Sequence, residues 1–83
     1  MKGHVALVRE QGQNLAILLV QDHVITDARI RDQMLAFAAR EFAGRPALIG
    51  ERNRQTYGPP DIVRWLQNIA PEQLPWREFT LNN

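Results

Sequence analysis

His4 and His23 are the two imidazoles of the sequence, and imidazole is the side chain best suited to move protons or ligate metals near neutral pH. Both stand at outer ends of expected strands. A hairpin turning about residues 12–14 would bring them towards each other, with Asp22 close by. Asp22 and His23 are adjacent, however, so on a strand they point to opposite faces. No HxxxH, HExxH or DxDxD spacing accompanies them. Two ligands without a third make no metal site, and none is expected.

Carboxylate chemistry needs two acids converging on a cleft. The nine acids fall instead in turns, at helix starts and on polar helix faces, usually near an arginine. Glu41 is the exception, because with Arg31 it projects onto the buried side of the first expected helix. An ion pair with the sheet or at an interface is the expected use of both.

Other chemistries are excluded by absence. The chain has no cysteine and no serine, which removes disulfides, thiolate metal sites and the usual acyl-transfer nucleophiles. Lysine occurs once, at Lys2. The five glycines, at positions 3, 12, 44, 50 and 58, never approach a phosphate-cradling spacing. No cofactor is expected.

Nine of the ten basic residues are therefore arginine, a permanent cation that binds anions and rarely acts as a base. They concentrate suggestively in residues 45–64. Arg52 and Arg54 lie on an expected hairpin tip beside Tyr57, and Arg64 and Trp65 lie on the following helix. Such a set can grip phosphates, stack a base or anchor a partner protein. The net charge of +1 argues against a strong nucleic-acid footprint. Trp76 is assigned to the core.

The elements that must position these groups belong to one small domain, residues 1–83. Residues 4–9 and 15–21 read as strands about a polar, glycine-containing turn. Residues 15–20 are apolar at both parities, which marks a central strand covered on both faces. Thr26 or Asp27 caps a helix running to about Ala43, whose apolar residues Ile30, Met34, Leu35, Phe37, Ala38 and Phe42 fill an arc of roughly 160°. Residues 47–49 and 55–57 form a second hairpin. A second amphipathic helix starts near Pro60, carries apolar residues as far as Ile69 and stops at Pro71. Leu74 and Trp76 form a hydrophobic clasp before a last strand at residues 77–81, with Phe79 and Leu81 on one face.

Residues 6–10 and 47–51 match in pattern, suggesting two hairpin–helix units. The expected fold is α+β, in the order ββαββα(β), with a mainly antiparallel sheet of four to five strands and both helices on one face. The other face must then be covered by the C-terminal segment or by a second copy of the chain. This favours a non-enzymatic, self-associating interaction module, a homodimer through sheet face or edge. Two other readings follow it. One is nucleic-acid or phosphate binding through Arg52, Arg54, Tyr57 and Arg64; the other is a small enzyme built at an interface from His4, His23 or Glu41. The longest apolar run is far short of the ~20 residues that span a bilayer, and the first residues lack a secretory pattern. A cytoplasmic location is expected.

Overall fold

In a computed structural model, which describes residues 2–80, β1 (Lys2–Glu10) folds back on β2 (Gln13–Val20) through Gln11 and Gly12. Both turn residues take positive φ, 53° and 77°. Two successive left-handed residues make the tight turn whose twist matches an antiparallel pair. The register runs from Glu10 opposite Gln13 to His4 opposite Leu19.

β2 leads into α1 (Asp22–Thr26), a short helix absent from the elements expected above, which buries Val24 and Ile25. Asp27 then caps α2 (Ala28–Glu41) as expected, its carboxylate accepting from the N–H groups of Arg29 and Ile30 at 3.1 and 3.3 Å. At Gly44 the backbone has φ 130°, and a Cβ there would lie 2.8 Å from the carbonyl oxygen of Asn14. Glycine thus lets the returning chain lie against the start of β2.

β3 (Arg45–Gly50) leaves this point parallel to β2, with Leu18 opposite Leu48. β4 (Thr56–Tyr57) pairs antiparallel with β3, and β5 (Trp76–Thr80) pairs antiparallel with β1. The sheet order is β4-β3-β2-β1-β5. The sheet is therefore mainly antiparallel, as expected, but mixed, because the β2–β3 pair is parallel. Helix α2 is about 21 Å long at 1.5 Å per residue and carries the chain back to where β2 began. A strand entered there runs the same way as β2. The fifth strand is present; Leu81 lies outside the described residues.

The placement of the helices also differs. β4 and β5 occupy opposite edges, so the chain between them must cross four strand spacings, about 19 Å. The α2 side is already filled. α3 (Pro60–Leu66) and a 3-10 turn (Pro71–Gln73) therefore cross on the other face. The helices lie on opposite sides of the sheet, and the matched segments do not build two equivalent units.

Alternate residues of β2 feed two cores. Ala16, Leu18 and Val20 pack with Val24, Ile25, Ala38 and Leu48. Leu15 and Ile17 pack with Ala47, Ile49, Ile62, Leu66 and Leu74. Both faces of the central ribbon are thus covered by this chain itself, the second by α3 and the segment after it. A homodimer through an open sheet face loses its premise. Among the described residues, no helix is long and apolar enough to cross a membrane.

Leu48 is fully buried, whereas Leu7 is 39% exposed. In chemical denaturation Leu48→Ala is expected to remove about 2–5 kcal/mol, a large part of the ~4–12 kcal/mol available to a domain of this size. Leu7→Ala should cost about 1 kcal/mol or less. Equal losses at both positions would contradict this difference in burial.

Candidate functional site

Beyond the pairing of His4 with Leu19, β1 and β2 part. Lys2 and Gly3 stay with β5, opposite Thr80 and Phe79. Val20 stays with β3, opposite Gly50, and its carbonyl accepts from the N–H of Glu51 at 2.8 Å. The sheet forks at this end. Alternate residues of an antiparallel strand direct their backbone groups to the same neighbour. In the register of β1, Lys2 follows His4 in that series, so its N–H and C=O aim into the fork.

The fork opens a cavity of about 320 Å³. Leu18, Val20, Val24, Met34 and Phe79 supply its apolar lining. The Phe79 ring lies directly over Gly3, where a Cβ would come within 2.7 Å of the ring. Phe42 meets Phe79 nearly edge-on at 5.2 Å, and Phe37 lies 6.0 Å away. This aromatic wall is held by α2 and its end, so it is part of the core as well as of the cavity.

The rim is charged. Lys2, His4, Glu51 and Glu78 all border the opening. Glu78 stands opposite His4 across the strands, with Lys2 Nζ and His4 Nε2 each 3.9 Å from one of its carboxylate oxygens. Those separations exceed hydrogen-bond reach. The imidazole and carboxylate are neighbours without a hydrogen bond between them. Glu51 has no ion-pair partner among the described residues.

The residues singled out on sequence grounds are distributed differently. His23 sits on α1, and the cross-strand neighbours of His4 are Leu19 and Glu78, so no strand-end histidine pair forms. Glu41 is exposed beside Arg40, at 3.7 Å. This corrects its assignment to the buried side: α2 ends at Glu41, and the extended Phe42 takes the inward place. Arg31 does face the sheet. Its guanidinium carbon lies 3.9 Å from the centre of the Tyr57 ring, and Nη1 donates to the Ile25 carbonyl at 3.4 Å.

Tyr57 therefore belongs to the α2-side core, and half-buried Trp65 to the α3 side. Arg54 donates to Glu72 at 2.9 Å. Arg52 and Arg64 are exposed. At the hairpin tip, Asp22 Oδ1 accepts from the backbone N–H groups of Arg52 and Asn53 at 3.1 and 3.2 Å. An acid already occupies the amides that an anion would need. The five residues Arg52, Arg54, Tyr57, Arg64 and Trp65 are not gathered onto one surface. Trp76 takes its core place, with Nε1 donating to the Pro71 carbonyl at 2.8 Å.

Of the rim groups, the sequence pattern points to His4 alone. Glu51, Glu78 and Lys2 carry no local signal of a site, because the cavity exists only where strand pairing stops. Among the described residues no group of three or more His, Cys, Asp or Glu side chains is placed to hold a metal. Compared with known protein families, curated proteins and solved structures, the chain matches none of them.

One ion pair lies away from the cavity. Arg45 grips Asp61 with two hydrogen bonds, at 2.7 and 3.0 Å, and also donates to Gln13 at 2.6 Å. The hydrogen bonds from Arg45, reinforced by its charge, hold the Asp61 carboxyl below its ordinary value and outweigh partial desolvation. Arg45 is raised in turn, chiefly by the same hydrogen bonds. A lowered carboxyl stabilises the fold above its unfolded value, and that contribution is lost as pH falls through the folded value. Denaturation midpoints followed downward from about pH 4 should fall less steeply in Asp61→Asn than in the parent, and the variant should be the less stable at neutral pH. Parallel acid limbs would show that the pair contributes nothing.

Proposed function

We propose that the protein is a non-enzymatic binding module and that the forked end of its sheet is the ligand seat. One observation carries this reading: the forked end holds a cavity of about 320 Å³ with an apolar lining and charged residues at its border, within the usual size range of a ligand site. Elsewhere the chain covers both sheet faces with its own segments.

Self-association is retained through a sheet edge, of which the outer edge of β5 is the longer. A two-fold antiparallel pairing there centred on Arg77 or on Glu78 would set like charges opposite each other, which is unfavourable. Nucleic-acid binding has less support, since Arg45 and Arg54 already hold carboxylates and Tyr57 lies under Arg31.

The test is a fragment mixture titrated into ¹⁵N-labelled protein. Amides of Gly3, Leu19 and Gln21 should shift saturably, while those of Gln11 and Gly12 at the far turn stay in place. Fork amides that ignore every fragment would sink the reading. Steeply salt-dependent oligonucleotide binding by fluorescence anisotropy would replace it with the nucleic-acid alternative. A dimer mass in light scattering that reverts on Arg77→Glu would restore the strand-edge alternative.

A further inference from the structure

We infer that the outer edge of β5 is a docking strand for an extended segment of another protein. The segment adds antiparallel, with a basic residue opposite Glu78 and an acidic residue opposite Arg77. β5 is the last strand of the sheet and pairs only with β1. Its outer side faces away from the fork, which lies beyond β1, so this docking is independent of the ligand seat. The Trp76 N–H turns back to the Leu74 carbonyl at 2.9 Å and thus points away from β1. Alternate residues of an antiparallel strand share that direction. Glu78 therefore offers its N–H and C=O to the outer edge, with the Trp76 carbonyl before it and the Thr80 N–H after it.

Exposed edges are usually blunted by lysine, proline, a bulge or a covering segment. At the opposite edge, β4 is only two residues long. β5 runs for five residues without lysine or proline and keeps an unbroken register against β1. It carries instead two adjacent, exposed charges of opposite sign, Arg77 and Glu78. Arg77 has no ion-pair partner among the described residues, and Glu78 meets Lys2 and His4 only at 3.9 Å. Contacts of that kind are readily exchanged.

Symmetry decides the occupant. Residues opposite each other across two strands share a sheet face, and a two-fold axis between two β5 edges preserves the faces. Such an axis pairs only residues of equal parity, so Arg77 of one copy never stands opposite Glu78 of the other. Registers centred on either residue oppose like charges, and those centred on Trp76 or Phe79 leave both charges unmatched. A different chain is free of this rule. Running antiparallel, it reads apolar, basic, acidic, apolar from its N-terminal side. The outer two residues lie beside half-buried Phe79 and Trp76, and the inner two stand opposite Glu78 and Arg77. Main-chain hydrogen bonds supply the affinity, and the charges fix the register.

The probe is a capped hexapeptide, threonine-valine-lysine-glutamate-valine-threonine, compared with the isomer in which lysine and glutamate trade places. Titrated into the ¹⁵N-labelled full chain, the first should shift the Glu78 and Thr80 amides saturably. It should bind about fivefold more tightly than the isomer, the effect of two matched cross-strand charge pairs. Methylating the main-chain nitrogen of its lysine, which removes a hydrogen bond opposite Glu78, should abolish the shifts. Exchanging the protein's own charges by Arg77→Glu with Glu78→Arg, both at exposed positions, should reverse the preference. Equal binding of the isomers, or a preference that this exchange leaves unchanged, overturns the charge rule. Silent edge amides, or full binding by the methylated peptide, overturn the docking strand itself. A dimer of the chain alone that protects these amides would assign the edge to a second copy and overturn the proposal too. The Leu19 and Gln21 amides report on the ligand seat separately, so either reading can fail alone.

Discussion

Water must be kept from both faces of two neighbouring strands, and the rest of the architecture follows from that constraint. Leu15, Ala16, Ile17 and Leu18 on β2 are all buried, as are Ala47, Leu48 and Ile49 on β3. At roughly 25 cal/mol per Å² of apolar surface, leaving either face wet would cost more than a domain of this size has to spare. Each face therefore needs its own cover. α2 provides one on the way from β2 to β3, and the segment from α3 to the 3-10 turn provides the other on the way from β4 to β5.

The same constraint explains the position of the fork. Strands covered on both sides leave open positions mainly at their ends, where β1 follows β5 and β2 follows β3. Three of the nine arginines are engaged in the 45–64 region or against it: Arg31 lies on Tyr57, Arg45 on Asp61 and Arg54 on Glu72. A high arginine count in this chain is thus no measure of an anion-binding surface.

Local patterns are legible in these residues and long-range pairing is not. The Gln11–Gly12 turn, the Asp27 cap, Pro60 at the start of α3 and the strand leading to Phe79 each have a signal within a few residues. The two-sided apolar run of β2 shows that the strand is covered, but not by what. Doubly covered strands are also the ones that pair in parallel, and here the cover comes from the chain's own crossings in place of a second copy. α1 is only five residues long, too short for periodicity to separate it from the end of a strand. Glu41 is misplaced by a helical wheel because it is the last residue of α2, and the extended Phe42 after it takes the inward place. The candidate site is the least legible part, since His4 and Glu78 are distant in sequence and meet only through the β1–β5 register.

The two covers are not held alike. α2 is a continuous helix of 14 residues, whereas α3 has seven and hands on to a three-residue turn. That strap is fastened near its ends by Arg45 to Asp61 and by Arg54 to Glu72, pairs open to solvent and weakened by added electrolyte. Ionic strength therefore acts unevenly across the molecule, loosening the strap side before the α2 side. The residues under that strap are Ile17 and Ile49, whereas Leu18 and Leu48 lie beneath α2.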